Sequence, residues 1–149
     1  MKALLQRVNR ASVSVAGEVV GGIGPGLVVF IGVAVEDTEK DARYLAQKVT
    51  GLRIFADDEG RFNLSVLDVQ GELLLVSQFT LLADTRKGRR PGFVAAAPVE
   101  LAAELFEYFV SQVRASGLKV ATGRFQQHML VEIHNDGPVT IMLDSREKF

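Results

Sequence analysis

The sequence predicts an α/β fold: a single three-layer domain over residues 1–149, with largely antiparallel, barrel-like β-sheets and two main helices packed on one side. Strand-like segments open and close the chain, and between them two apolar strands are each followed by a segment with helical spacing. A chain of 149 residues with 48% hydrophobic content can fill one core and is too short for two.

The composition narrows the possible functions. A formal net charge of −1 provides no broad basic surface for long nucleic acid, so any such contact has to be local. The absence of cysteine excludes a disulfide framework, thiolate catalysis and cysteine-bound zinc. No apolar run approaches the roughly 20 residues that span a bilayer. The first seven residues break into charge before a signal-peptide core could form, so we expect a cytoplasmic protein.

The first third of the chain is predicted to form strands. Polar and apolar residues alternate over 12–15, and a turn at 16–18 leads into 19–20, which together favour a hairpin. Residues 27–33 are apolar without alternation, which is typical of a strand covered on both faces. Four glycines between residues 21 and 26 join these two strands, so a tight turn explains them better than a phosphate cradle.

Two helices are predicted. Thr38 is a suitable N-cap with Asp41 three residues on, and apolar residues recur at helical spacing, which predicts a helix near 39–51. Pro98, at a first helical position, opens a second helix that ends near Gly117. The apolar stripe of this helix indicates core packing and consists of Leu101, Leu105, Phe106, Phe109 and Val113.

Further strands are predicted at 53–55 and 72–78, with an acidic turn at 57–60 between them that lacks the alternating ligands of a calcium loop. Three closing segments also have strand character, and they are residues 119–121, 129–133 and 139–143.

A glycine-proline pair, Gly137-Pro138, interrupts the last of these strands. Proline removes a ladder donor and glycine adds conformational cost, so the pair requires a special backbone geometry. One interpretation is a hairpin turn between residues 130–133 and 139–143, which the sequence Asn-Asp-Gly-Pro suits. The other is a cis peptide bond that presents a rigid array of backbone carbonyls to a ligand.

Standard catalytic motifs are absent from the sequence, which has no G-x-S-x-G, no H-E-x-x-H and no P-loop. His128 and His134 have no recognisable metal spacing, and we leave both out of the site. A polar motif at residues 77–81 directly follows a buried strand, where it forms either a solvated strand end or a ligand contact. A compact basic patch that suits one or two phosphates comes next and consists of Arg86, Lys87, Arg89 and Arg90.

Two of these segments carry a resemblance. Residues 77–81 (SQFTL) and 135–140 (NDGPVT) resemble the two signature motifs of the D-aminoacyl-tRNA deacylases, also called D-tyrosyl-tRNA deacylases. The likeness covers essentially the whole chain and includes QRV at 6–8, IGPGL at 23–27, GLRIF at 51–55, NLSV at 63–66 and ADTRKG at 83–88. The sequence departs from the family pattern at 126–128 (QQH) and at Gly92, which bears on substrate fit at the pocket rim.

The resemblance implies hydrolysis of the ester between a D-amino acid, or glycine mischarged on tRNA-Ala, and the 3′-terminal adenosine of tRNA. It implies no cofactor or metal, and a homodimer in which the cis Gly-Pro pair of one subunit reaches into the site of its partner. In such a pair glycine has no Cβ and proline has no N–H, so the carbonyls can accept from the substrate ammonium at close range. An L side chain would point into this wall, a D side chain would point away, and glycine would also be accepted.

The resemblance also assigns the site residues. The catalytic set is Ser77, Gln78, Phe79 and Thr80, and the chiral-selectivity set is Gly137, Pro138, Arg7 and Met129. The charge of the basic patch at 86–90, and not the resemblance, makes it the candidate for tRNA binding. Gln78 and Phe79 would help to seat the terminal adenosine, and Arg7 would steady the Gly-Pro pair.

The mechanism has two candidates. Thr80 could act as a nucleophile, but the sequence gives it no adjacent base. In the alternative, backbone N–H groups around Phe79 and Thr80 form an oxyanion hole and the RNA 2′-OH helps to activate water. Two rival functions also stay open: a non-catalytic module that binds the aminoacylated 3′ end, and a general esterase with Thr80 as nucleophile.

Overall fold

The computed structural model describes residues 1–147 and contains eight strands and two α-helices in that range. The strands are β1 (Lys2–Val15), β2 (Glu18–Ile23), β3 (Gly26–Gly32), β4 (Phe55–Ala56), β5 (Phe62–Leu64), β6 (Glu72–Ser77), β7 (Val120–Thr122) and β8 (Leu130–Asp144). The helices are α1 (Glu39–Gly51) and α2 (Val99–Arg114), and short 3-10 turns occupy Phe79–Leu82 and Ser145–Glu147.

The main sheet is organised around β1. This strand pairs antiparallel with β2, β3 and β8, whereas β3 pairs in parallel with β6, and β6 in parallel with β7. The order β2-β1-β3-β6-β7 curls until β2 and β7 touch, so the sheet is a nearly closed barrel. The predicted barrel-like α/β fold with two helices is therefore confirmed, with two parallel pairs beside the antiparallel ones.

Two apolar cores stabilise this arrangement. The larger core packs α1 and α2 on the sheet and includes the buried Leu5, Leu45, Leu73 and Phe109. The smaller core fills the barrel interior, where Val13, Val28 and Leu74 meet. Because β3 and β6 contribute to both cores, they are buried on both faces, as their unalternating sequences predict.

Both helices lie where the sequence predicts them. The N–H of Thr38 donates to Oδ2 of Asp41 (2.9 Å), closing the predicted capping box of α1. Pro98 was predicted as the first helical residue but is the N-cap of α2, so the helix begins one position later, at Val99, and it ends three residues before Gly117. Within residues 1–147 neither helix combines the length and the apolar character needed to cross a membrane.

The predicted hairpin turn at residues 134–138 is wrong. β8 runs without a break from Leu130 to Asp144 and pairs with β1 on both sides of the glycine-proline pair. Asn135 lies opposite Val8 and Thr140 opposite Gln6, so five residue steps on β8 face two on β1. The pair therefore lies in an enlarged β-bulge within one long strand, and we call residues 136–139 the Gly-Pro bulge.

Other strands differ from the prediction in extent. β1 begins at Lys2, ten residues before the predicted segment at 12–15, since Ala3 and Leu5 alternate into the core. The strand predicted at 53–55 is observed as β4, at Phe55–Ala56. After the acidic turn the chain forms β5, which was not predicted and which pairs antiparallel with β4.

The α-amino group of Met1 lies in a buried polar network. It contacts Oδ1 of Asp37 at 2.8 Å and Oγ of Ser145 at 2.9 Å. The Ser145 hydroxyl donates in turn to Oδ1 of Asp41 (2.7 Å), and Asp37 Oδ2 accepts the N–H of Ala34 (2.6 Å). This network ties the start of β1 to α1 and to the end of β8.

We expect Asp37→Asn to lower the free energy of unfolding by about 3 kcal/mol, because breaking a buried ion pair leaves an uncompensated charge. Urea denaturation measures the change. The control is Glu39→Gln, which removes an exposed ion pair with Arg43 (3.9 Å) and should cost at most about 0.5 kcal/mol. Equal effects of the two variants would contradict the importance of the buried network.

Candidate active site

The polar motif at 77–81 leaves the sheet at the carboxyl end of β6. The N–H of Gln78 donates to the carbonyl of Ile31 (2.7 Å) and so extends the ladder with β3 by one step. The chain then tightens into the 3-10 turn Phe79–Leu82, which packs directly on Gly32. A Cβ at residue 32 would lie 2.5 Å from Leu82 Cδ2, 3.0 Å from Leu81 Cβ and 3.1 Å from the carbonyl oxygen of Gln78, so a side chain there would require the turn to shift.

A cavity of about 670 Å³ opens beside this turn. Its apolar wall includes Val33, Val76, Ala97, Phe125, Met129 and Val131. Its polar groups are Ser77, Gln78, Gln126, Gln127 and His128, and Phe79 lies at the same wall. Among residues 1–147, no carboxylate, lysine or arginine lines the cavity, so it suits a small, largely apolar group held by a few polar contacts.

Two backbone amides are free at the start of the turn. Within residues 1–147 the N–H groups of Phe79 and Thr80 have no recorded acceptor, since the turn's own bonds begin with Leu81 donating to Gln78 (3.2 Å). The hydroxyl of Thr80 accepts from the side-chain amide of Gln78. An amide donor cannot take a proton from that hydroxyl, so the structure gives Thr80 no general base there.

The Gly-Pro bulge has the special geometry that the sequence requires. The Gly137-Pro138 bond is cis, which was one of the two geometries predicted from the sequence, and Gly137 has φ +136°. Asn135 closes the bulge from within, because its Oδ1 accepts the N–H of Val139 (2.8 Å). Arg7 holds it from β1 through a bond from Nε to the carbonyl of Asp136 (3.0 Å).

One copy of the chain does not bring all the predicted site residues together. Ser77, Gln78, Phe79 and Met129 line the cavity, whereas Thr80, Arg7, Gly137 and Pro138 are not among the residues described in its lining. The bulge lies opposite Arg7 and Leu27, near the start of β6, and Ser77 lies at the end of that strand.

The basic patch lies on a loop closed by two bonds between Asp84 and Gly92 (2.7 and 2.9 Å). Arg86 is bound at both carboxylate oxygens of Asp84, by Nε at 2.9 Å and by Nη2 at 2.8 Å. These hydrogen bonds lower the pKa of Asp84 to about 2. Phe93 then stacks edge-on against Phe79 (5.0 Å between ring centres), which places the loop beside the cavity.

Sequence reasoning missed part of the cavity wall. It left His128 out of the site, yet His128 lines the cavity together with Gln126 and Gln127, the segment that departs from the family pattern. Leaving out His134 agrees with the geometry, because its ring bonds Glu132 on the outside of the barrel (2.9 Å) and lowers the pKa of that carboxyl. Only the departure at 126–128 itself pointed to this wall.

Fold and site together define a class of protein: a nearly closed α/β barrel whose apolar cavity is bordered by free backbone amides. Within residues 1–147 there is no group of three or more His, Asp or Glu side chains that could hold a metal ion.

The chain belongs to the D-Tyr-tRNA(Tyr) deacylase family, whose family model matches residues 4–144. It is 61% identical to a D-aminoacyl-tRNA deacylase of Dehalococcoides mccartyi (99% of this chain, 97% of the relative). It is also 57% identical to the D-aminoacyl-tRNA deacylase of Koribacter versatilis over the full length of both.

Two solved structures share the fold. A c-Myc DNA unwinding element binding protein is 44% identical, with a TM-score of 0.91 over 97% of this chain and 98% of that one. A probable eukaryotic D-amino acid tRNA deacylase superposes with a TM-score of 0.84 over 95% and 97% of the two chains, at 20% identity.

We expect Arg86→Ala to raise the pKa of Asp84 from about 2 part of the way toward its ordinary value of 3.8, because the guanidinium donors are lost while the backbone N–H of residue 86 still donates to the carboxylate. Since the folded pKa is lowered, the bond stabilises the loop above pH 3.8 and is lost as the pH falls toward 2. A carboxyl-carbon NMR titration measures both values. Lys87→Ala is the control, and an equal shift in that variant would contradict the assignment.

Proposed function

We propose that this chain hydrolyses the ester of D-aminoacyl-tRNA, and of glycyl-tRNA mischarged on tRNA-Ala, to free amino acid and tRNA. The observation that carries the proposal is the pair of free amides, Phe79 and Thr80, at the edge of an apolar cavity without carboxylates or basic chains. Such a site lacks strong acids and bases and offers donors to a developing oxyanion, which suits an ester that is already labile.

The backbone amides are the proposed catalytic groups. The ester carbonyl would accept from the N–H groups of Phe79 and Thr80, and each such donor contributes roughly 10² to 10³ in rate. Water would attack the carbonyl with the help of the RNA 2′-OH, and the alcohol of the terminal ribose would leave. Ser77 and Gln78 fix the turn and the cavity edge, while Gln78 and Phe79 seat the adenosine.

Chiral selection is assigned to the Gly-Pro bulge of a second copy. Within one copy the bulge is exposed and separate from the cavity, and Gly137 and Pro138 have no partners in the register between β1 and β8. β8 pairs only with β1 in the described sheet, which leaves its 15-residue outer edge available to another chain. In the proposed homodimer each bulge enters the partner's cavity and blocks an L side chain, while Met129 supports the opposite wall.

The basic loop is assigned to the tRNA acceptor stem. Lys87, Arg89 and Arg90 are exposed on this loop and are available for phosphate, whereas Arg86 is held by Asp84. Aminoacyl-tRNA is formed and used in the cytoplasm, where we place the protein.

Incubation with D-Tyr-tRNA and L-Tyr-tRNA tests the function. We expect kcat/KM for the D-ester to exceed that for the L-ester by more than roughly a hundredfold, or about 2.7 kcal/mol of differential transition-state binding. A stable D-ester in the presence of bound protein would leave only the non-catalytic binding module. Equal loss of both esters would contradict selection by a backbone wall.

Matched glycine variants test the location of the wall. At residue 137 a Cβ would lie 2.8 Å from Val139 Cγ2 with φ at +136°, so Gly137→Ala should distort the bulge and reduce the discrimination. Gly17, in the turn between β1 and β2, also has positive φ (+81°) but open space around it, which makes Gly17→Ala the control.

Thr80→Ala separates the two mechanisms. Because the backbone N–H remains and the hydroxyl has no base, we expect kcat/KM for the D-ester to stay within roughly tenfold of the parent. Single-turnover kinetics measure the effect, with the exposed Thr85→Ala as control. A loss of more than roughly 10³-fold would favour the general esterase with a threonine nucleophile.

A further inference from the structure

Arg7 lies between the Gly-Pro bulge and a small hairpin formed by β4 and β5. Its side chain is only 14% exposed. On one side, Nε donates to the carbonyl of Asp136 (3.0 Å). On the other side, Nη1 donates to the carbonyl of Ile54 (2.8 Å), and the guanidinium carbon lies 5.5 Å from the ring centre of Phe62. The guanidinium thus connects the bulge to the hairpin.

We infer that Phe62 is a positioning residue that fixes the Gly-Pro bulge by holding the guanidinium of Arg7. Two contacts hold the guanidinium on this side: the carbonyl of Ile54 accepts from one end of the fork, and the guanidinium carbon lies over the Phe62 ring. For chiral selection the inference rests on the proposed function; for the geometry of the bulge it does not.

The acidic turn explains how Phe62 reaches this position. The carboxylate of Asp57 accepts the N–H groups of Glu59 (2.9 Å) and Arg61 (3.0 Å), and these bonds lower the pKa of Asp57. Gly60 takes the positive φ (+78°) that the tight turn requires. The chain then reverses and Phe62 pairs with Ala56. The acidic turn, to which no function was assigned from the sequence, thereby places the Phe62 ring next to Arg7.

The exposure of Phe62 supports this role. The ring is 56% exposed and belongs to neither apolar core, so burial does not account for its position. Its described ring contact is with Arg7. The position of the guanidinium also affects the Gly-Pro bulge directly, because Arg7 Nη2 lies 3.2 Å from the place where a Cβ of Gly137 would be. A guanidinium free to tilt would change both the support of Asp136 and the space beside Gly137.

Two measurements test the inference on the full-length protein. The first is amide hydrogen exchange at Val139, whose N–H is held by Asn135 inside the bulge (2.8 Å). The second is the ratio of kcat/KM for D-Tyr-tRNA to that for L-Tyr-tRNA. We expect Phe62→Ala to accelerate the exchange, and to lower the ratio, by roughly three- to tenfold each.

Further variants isolate the aromatic face. Phe62→Leu keeps bulk without a π face and should behave like Phe62→Ala, so it also serves if the alanine variant does not fold. Phe62→Tyr should retain parental values. In an Arg7→Lys background, Phe62→Ala should change the Val139 exchange rate and the selectivity ratio less than it does in the parent. The reason is that lysine lacks the guanidinium that the ring contacts. The control is Val19→Ala, which truncates another exposed apolar residue (63%), on β2.

Three outcomes would overturn the inference: unchanged exchange at Val139 in both Phe62→Ala and Phe62→Leu, full selectivity in Phe62→Leu, or acceleration that is uniform across β6 and β8. The last result would mean general destabilisation. If the parent protein leaves D-Tyr-tRNA intact while Phe62→Ala still loosens Val139 selectively, the proposed function fails and the positioning role stands.

Discussion

The antiparallel pairing of β1 with β8 is the constraint on which the rest of the structure depends. It is maintained from Lys2 opposite Asp144 to Ser14 opposite Leu130, although β8 has three more residues than β1 can match between Gln6 and Val8. Because the ladder is fixed on both sides, the extra residues have to leave the sheet at one place. The bulge is therefore a rigid projection from a strand and not the end of a hairpin.

The other half of the site depends on the parallel part of the sheet. β3 and β6 are buried on both faces, so polar groups can emerge only where these strands end. Ser77 and Gln78 lie at that edge, and the turn that follows packs on Gly32 and leaves two amide donors unused. The proposed catalytic site is made of backbone that the core holds in place, and it requires no side chain with an altered pKa.

Local signals in the sequence were sufficient for local structure. Thr38 and Asp41 predicted the start of α1, and Gly137-Pro138 predicted a special backbone geometry, because in each case neighbouring residues decide the outcome. The hairpin prediction failed because Asn-Asp-Gly-Pro suits a turn and a bulge equally, and the choice is made by β1, about 130 residues away in the chain. The contact of His128 with the cavity and of Arg7 with Phe62 likewise depend on segments distant in sequence.

The separation of bulge and cavity has a consequence for recognition. To reach the cavity of its own copy, the Gly-Pro bulge would have to move from the level of the start of β6 to the level of its end. This displacement is some four residues, or about 13 Å, along the strand. The bonds from Arg7 to Asp136 and Ile54 oppose such a movement. A second copy can bring the bulge to the cavity without deforming either element, and two-fold symmetry makes the exchange reciprocal. The rigidity of the bulge thus supports the proposed homodimer, in which a bulge held by Arg7 and its neighbours would select the substrate in the partner's cavity.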